Sequence, residues 1–472
     1  MIIVLKNHSE EYAVREIVNA YFPKTKFTFS DAEPACEDFV VSSYNYKSGM
    51  HTYSARVSIS GQTYDYTFED NIFSKTNIKK SVSVCLEKLT GIHLPWGLLT
   101  GIRPSKIVRE HFEDCGGIQC PEYLSEIYGA DPDKSELAWN VAKNELSAIK
   151  SLDSNKISLY IGIPFCPTRC LYCSFTSQSI AFSNKLTVPY VEALKKEIAE
   201  VSKMENINGK PIDTIYFGGG TPSALTAQQI DDIILAIEAG FNLSQTREIT
   251  FEAGRPDTIT REKLDVLKRH GITRISINPQ TTKNETLKAI GRNHTVEDFI
   301  QSFKLAREMG FEHINCDIIA GLPNETLDDF RKTLADLELL NPESITVHTM
   351  CIKRGSYLDM KYDMYSLTAS ETVNRMLKLA SESMQKAGKR PYYMYRQKNM
   401  LGNLENVGYC VPGHECLYNI YIMEELQTIL SLGAGGSTKL VCGDNIERIF
   451  NVKEVSEYIN RIDEMIERKR II

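Results

Sequence analysis

No run of about eighteen consecutive apolar residues occurs in this 472-residue sequence, so no membrane-spanning helix and no membrane insertion are expected. The opening MIIVLKNHSEEYAVREIV turns acidic after a brief apolar run and does not match a secretory leader; a cytoplasmic setting is the expectation. Long basic runs are missing as well. The formal net charge is −7 with both signs spread along the chain, so charge does not suggest nucleic-acid binding, and the terminal IERKRII reads as a solvated helix face. Twelve cysteines in such a chain do not read as a disulfide framework. Nine of them (Cys36, Cys85, Cys115, Cys120, Cys316, Cys351, Cys410, Cys416 and Cys442) are scattered, and most of these read as small buried hydrophobes.

The length suits two or three domains, and a hydrophobic content of 42% is enough for sizeable cores. Residues 1–150 read as an α+β region of unknown role. FVVSSYNY and TYSARVSISGQTYDYTF alternate apolar and polar residues as half-buried strands do, with a hairpin turn at Gly61-Gln62. IKKSVSVCLEKLTGIHLPW and the segment after GIRPSK read as helices. From 155 to 385 the pattern becomes strict alternation. The β-branched runs ISLYIGI, DTIYF, EITFEA, RISINPQ, HINCDIIAG and SITVHTMC are separated by helical segments. Thr226, Thr260 and Thr295 stand at helix starts, and Gly240, Gly271 and Gly310 near helix ends. Six β–α units in succession predict an α/β fold with a parallel sheet curled into a partial (β/α)6 barrel, whose chemistry sits at the C-terminal strand ends. Residues 386–472 read as a C-terminal α/β extension covering the barrel mouth, with IYIMEELQTILSLG as a helix.

One stretch demands chemistry. YIGIPFCPTRCLYCSF holds Cys166, Cys170 and Cys173 within eight residues, directly after the first strand of the barrel region. Three thiolates on one loop can face one object. Zinc usually takes four protein ligands, and no second knuckle is near, although zinc stays open on the residues alone. An iron–sulfur cube with three protein thiolates keeps one iron free for a cofactor. The second strand ends in FGGGTPS, where successive glycines let a ligand approach the backbone with amides free to bind it.

These two motifs resemble the radical S-adenosylmethionine superfamily. LYIGIPFCPTRCLYCSF, IYFGGGTPS, ISINPQ, AIGRNHT and INCDIIAGLPNET are similar to the oxygen-independent coproporphyrinogen III oxidase group. PYYMYRQKNMLGNLENVGY and the extra N-terminal region resemble its HemZ-like branch. The resemblance implies a [4Fe–4S] cluster on Cys166, Cys170 and Cys173, and S-adenosylmethionine on its open iron. Cleavage of that cofactor yields a radical that takes hydrogen from an unactivated carbon. It places Tyr160 beside the cofactor, Tyr172 against the cluster, and Gly219 at the methionine amino group with Gly220 and Thr221 continuing that edge. Glu252 becomes a cofactor hydrogen-bond acceptor, and Gln280, Arg292 and Asp317 hold a second S-adenosylmethionine.

The residues alone leave other readings open. Asp317 and Glu252 sit in apolar strands where a charge must be paired, hydrated or ligand-bound, so a salt-bridged or capping role fits too. Arg292 can neutralise a helix C-terminus, and Gln280 can be a turn residue. Arg255, Lys353, Arg354 and Arg396 are candidates for binding substrate carboxylates, or surface charges. LSLGAGGSTKL resembles a glycine-rich segment that closes over the cofactor. Phe175 stands where the classical oxidase has a further cysteine, as in related haem chaperones. HECLYN keeps His414 and Tyr418 of the chaperones' haem motif but carries Glu415 and Asn419. The implied activity is the oxidative decarboxylation of two propionates of coproporphyrinogen III, with a low-potential donor such as flavodoxin or ferredoxin. A haem-binding chaperone and a radical enzyme acting anaerobically on haem are the rivals.

Overall fold

The computed structural model describes residues 1–472 apart from 24, 33–36, 102, 115–119, 176–177, 354, 361–367, 398–399, 444 and 472. Cys36, Cys115 and Arg354 therefore lie outside the described residues. The chain divides into two compact units, Met1–Trp139 with Arg396–Leu404, and Asn140–Tyr395 with Glu405–Ile472.

The first unit is built on β1 (Ile2–Lys6), α1 (Glu11–Tyr21), β2 (Thr28–Phe29), β3 (Phe39–Lys47), β4 (Met50–Ile59), β5 (Gln62–Asp70) and α2 (Lys75–Thr90), followed by α3 (Pro104–Asp114) and α4 (Tyr123–Tyr128). Its five-stranded sheet runs β2-β1-β3-β4-β5. The two hairpins turn at Ser48-Gly49 and Ser60-Gly61, all four residues having positive φ as tight two-residue turns require. The second turn thus lies one residue ahead of the Gly61-Gln62 break expected from sequence. Val14, Val18, Val82 and Leu86 from the helices pack on Ile3 and Tyr53 of the sheet. Arg396 belongs to this unit. It is 3% exposed, donates to the carbonyls of Leu99 and Asn403, and lies over the Trp96 ring.

The helix α5 (Pro132–Lys150) leads into the second unit. There follow β6 (Ile157–Ile163), β7 (Phe165–Cys166), β8 (Gln178–Ser179), α6 (Ile180–Val201), β9 (Ile212–Gly219), α7 (Ala227–Gly240), β10 (Glu248–Glu252), α8 (Arg261–Arg269), β11 (Arg274–Ser276), α9 (Asn284–Ala289), α10 (Val296–Glu308), β12 (Ile314–Ala320), α11 (Leu327–Leu340) and β13 (Ser344–Thr349). Then come α12 (Tyr357–Met360), α13 (Ser370–Lys386), β14 (Arg390–Tyr395), β15 (Asn406–Cys410), α14 (Leu417–Glu424), β16 (Ile429–Leu432), β17 (Ser437–Cys442), β18 (Asn445–Phe450), α15 (Val455–Asn460) and α16 (Ile462–Arg468).

The strands β6, β9, β10, β11, β12 and β13 lie side by side and parallel, each followed by helix. Helices on the flanks leave β6 buried along nearly its whole length, which is why it reads as a continuous apolar run. The helices start where side chains supply the missing acceptors. Thr226, Thr295 and Thr326 each close a capping box, and Thr260 accepts from the Lys263 amide. The last part of the chain extends this same sheet at both edges. β15 and β14 add antiparallel strands beside β13, while β16 runs parallel to β6 and carries β17 and β18 outside it.

Two elements depart from the sequence reading. RISINPQ is a continuous strand only to Ser276; it is interrupted before Pro279, which lacks an amide proton, and pairs with β12 again through a single bridge from Gln280, at φ +68, to Ile318. IYIMEELQTILSLG is not one helix. It stops at Glu424, Glu425 takes a left-handed φ of +55, and Ile429–Leu432 pairs with the edge of β6. A short apolar run is equally at home in a buried helix or strand, so periodicity did not separate the two. Among the described residues no helix is long and apolar enough to cross a membrane.

Candidate active site

The cysteine loop is fixed by backbone bonds at both ends. Its base is clamped by the short parallel pair of β7 with β8. The Gly220 and Thr221 amides, expected to be free for a ligand, instead donate to the carbonyls of Ile163 and Phe165 at 2.8 and 2.7 Å. These bonds pin the start of the loop to the end of β9. Farther along, the Leu171 amide donates to Ile290 at 3.0 Å and the Thr168 hydroxyl to Gly291 at 2.7 Å. Gly219 has φ +108, and a Cβ there would stand 3.2 Å from the Ile163 nitrogen and 3.4 Å from the Tyr160 hydroxyl.

The loop faces a cavity of about 430 Å³ at the centre of the parallel strands. Its walls include Tyr160, Cys166, Cys170, Tyr172, Cys173 and Phe175 from β6 and the loop, and Gly219, Gly220 and Thr221 from β9 and its end. Glu252, Gly254 and Arg255 come from β10, Gln280 and Arg292 from the segments after β11, and Asp317 from β12. All twelve residues singled out above as cluster or cofactor residues thus share one cavity. Arg396 and Lys353 are not among its lining residues. The terminal nitrogens of Arg396 serve backbone carbonyls in the first unit, and Lys353 stands over the Phe175 ring at 5.7 Å. The glycine-rich LSLGAGGSTKL does not line it either. The Gly433 amide donates to buried Glu197, and a Cβ on Gly433 would meet the Gly162 carbonyl.

Strand alternation brings further residues to the walls: Tyr216, Arg274, Asn278, Asn315 and His348, with Tyr393 and Tyr395 from β14 and Tyr418 from α14. Tyr216, Tyr160 and Tyr418 cluster, with the Tyr216 ring centroid 6.2 Å from Tyr160 and 4.4 Å from Tyr418 and those two 6.1 Å apart. The Tyr216 hydroxyl donates to Glu252 at 2.5 Å. Tyr418 is positioned by Glu248, whose carboxylate accepts from the Leu417 amide at 2.8 Å and so caps α14. Arg274 is 1% exposed and donates through Nε to His313 at 3.2 Å. His414 has its ring against His313, centroids 5.0 Å apart, and does not line the cavity.

The electrostatics differ from wall to wall. Desolvation pushes Glu252 up to about 7 against the opposing hydrogen bond from Tyr216. Burial works to raise Asp317 too, yet His348 and Asn315 outweigh it and hold the carboxyl below its ordinary value. Asn315 donates to Asp317 at 2.8 Å and His348 lies 3.6 Å away; these, rather than Arg292, are its protein partners. Arg292 instead donates to the Asn278 carbonyl at 2.6 Å and to the Tyr172 hydroxyl at 3.4 Å. Two polar atoms of the cavity lining, Gln280 Oε1 and Arg292 Nε, are buried without a partner. Such atoms suit a polar ligand.

The model of the Radical SAM superfamily matches residues 160–337. The Bacillus subtilis (strain 168) protein described as oxygen-independent coproporphyrinogen-III oxidase-like protein HemZ is 39% identical, over 97% of this chain and 94% of that one. This chain belongs to the HemZ family of the radical SAM superfamily. Heme chaperone HemW of the same organism is 30% identical over 65% of this chain and 76% of its own. The solved coproporphyrinogen III oxidase (HemN) from Escherichia coli covers 69% of the chain and is covered over 73% of its own, with a TM-score of 0.55 and 23% identity; it shares the fold.

The cofactors of this superfamily are a [4Fe–4S] cluster and S-adenosylmethionine, and the residues present fit both. Three cysteines outside any disulfide line one wall. Among the described residues, no three of His, Cys, Asp and Glu gather tightly enough to hold a single metal ion. A cube takes each thiolate on a separate iron, so three cysteines leave its fourth iron open for a cofactor. The unpartnered Gln280 and Arg292 atoms provide polar contacts beyond it. Sequence reasoning passed over Tyr216 and Arg274 in this family site. The signal was present: Arg274 is a charge opening a buried strand, the same feature that marked Asp317.

Proposed function

We propose that this HemZ-family protein decarboxylates two propionate side chains of coproporphyrinogen III oxidatively, without oxygen, giving protoporphyrinogen IX in haem biosynthesis. The observation that carries the reading is the gathering of the three-cysteine loop, the β9 glycine end and the buried polar wall into one cavity, in a chain like HemZ over nearly all its length. Each propionate gives one β-carbon hydrogen atom to the bound cofactor, releases CO2, passes one electron to a one-electron acceptor, and becomes a vinyl group. The bound cofactors supply the one-electron cleavage that makes hydrogen removal from such a carbon possible.

The chain's own residues hold and orient. Cys166, Cys170 and Cys173 hold the cluster, with Tyr172 packed on it. Tyr160 and Gly219 define the slot for the methionine portion, and Gly220 and Thr221 fix the loop that carries Cys166 beside it. Glu252 accepts a cofactor hydrogen bond, and Gln280, Arg292 and Asp317 line a place for a second S-adenosylmethionine. A small low-potential protein such as flavodoxin or ferredoxin supplies the electron, in the cytoplasm.

The likeness to HemW favours one rival, haem carriage, for which His414 is the matching ligand position. Its ring packs on His313 outside the cavity lining. Anaerobic incubation with coproporphyrinogen III, S-adenosylmethionine and a strong reductant, followed by product analysis, separates the readings. Protoporphyrinogen IX is expected. Unchanged substrate, together with a haem Soret shift that His414→Ala removes, would replace catalysis by carriage.

A further inference from the structure

Arg255 follows the end of β10 and is 2% exposed. Its place is set by its own backbone: the carbonyl accepts from the Thr258 amide at 3.0 Å and the Thr258 hydroxyl at 2.7 Å, closing a tight turn. All three guanidinium nitrogens are engaged. Nε and Nη2 reach the two carboxylate oxygens of Asp257 at 3.2 and 3.3 Å, a bidentate pair. Nη1 and Nη2 reach the Thr168 hydroxyl, each at 3.2 Å. Nη1 also donates to Cys170 Sγ at 3.7 Å. A guanidinium so committed is part of the loop's wall rather than a hook for a substrate carboxylate.

Arg292 also lies against Cys170, and Cys166 Sγ accepts from the Thr221 hydroxyl at 3.5 Å. A donor to a ligand sulfur withdraws electron density and stabilises the cluster state that carries the extra electron; hydrogen bonds to the sulfurs are among the main determinants of cluster potential. A full positive charge in a dry wall adds to this, and a carboxylate paired with it takes part of it away.

We propose that Arg255 is a positioning residue that raises the reduction potential of the cluster through Cys170, with Asp257 as the counterweight that limits the rise. The cluster then accepts its electron from a weaker donor than an untuned cube would need. This rests on the cluster being held by the three cysteines and not on which tetrapyrrole is the substrate, so its failure and the failure of the decarboxylase reading are distinguishable.

The test is a potentiometric titration of the reconstituted full chain, followed by electron paramagnetic resonance without substrate, with iron content checked for each variant. Arg255→Gln should move the midpoint to more negative potential. At the wild-type midpoint its ratio of reduced to oxidised cluster should fall about tenfold, equivalent to about 59 mV for one electron. Asp257→Asn should shift the midpoint the opposite way, and Arg255→Lys should keep part of the wild-type value. Unchanged midpoints at full iron content, or shifts of the same sign in Arg255→Gln and Asp257→Asn, would overturn the proposal. If Arg255→Gln fails to load iron, Asp257→Asn decides alone: a less negative midpoint supports the assignment and an unchanged one removes it.

Discussion

Glu252 and Asp317 share a cavity but hold protons with different strength, because their neighbours differ. At Asp317 the His348 and Asn315 contacts outweigh desolvation and favour the charged form, whereas at Glu252 desolvation outweighs the Tyr216 hydroxyl and Arg274, and the nearby Asp317 charge adds to the rise. A carboxyl raised to about 7 in the folded chain and ordinary in the unfolded one keeps its proton longer when folded. Its contribution to stability is complete below the ordinary glutamate range and is lost as pH rises toward about 7. Glu252→Gln should therefore be more stable than wild type at neutral pH, by on the order of 2 kcal/mol in ligand-free protein, with the gap closing near pH 4. Urea midpoints across that range check this. A gap that widens toward acid would show that Glu252 is charged and favourably paired.

At the scale of elements, the β9 end and the cysteine loop behave as one piece. Gly220 is required there by close approach, since a Cβ would stand 2.5 Å from the Phe165 carbonyl oxygen. Backbone on both sides cannot yield cheaply, so Gly220→Ala should push the loop off its two anchoring bonds. The expected result is loss of most cluster iron after reconstitution and about 1–3 kcal/mol of stability, the usual cost of overpacking. Full iron loading with an unchanged melting temperature would mean that the glycine is dispensable. The glycine run was legible in the sequence, but its reason was not. A glycine that admits a ligand and one that admits a neighbouring carbonyl look alike until the partner strand is in place. Threonine caps were legible because capping is local, between Thr226 and Gln229 or Thr295 and Asp298. The split of IYIMEELQTILSLG into α14 and β16 was not, because the pairing with β6 is made across more than two hundred residues of chain.

Across the whole molecule, the order of six β–α units was readable because each strand alternates with an amphipathic helix. That order alone brings residues from Tyr160 to Asp317 to one cavity. The extensions at the sheet edges and the retreat of Arg396 into the first unit depended on long-range contacts that composition does not encode. On the proposed function, this cavity directs hydrogen removal from a substrate propionate. The measurement that tests it most directly is isotope transfer. Coproporphyrinogen III carrying deuterium at the propionate β-carbons is incubated anaerobically with the reconstituted protein, S-adenosylmethionine and reductant, and the 5′-deoxyadenosine formed is examined by mass spectrometry. The account predicts singly deuterated 5′-deoxyadenosine appearing together with vinyl product, and neither in Cys170→Ala. Unlabelled 5′-deoxyadenosine with intact substrate would contradict it.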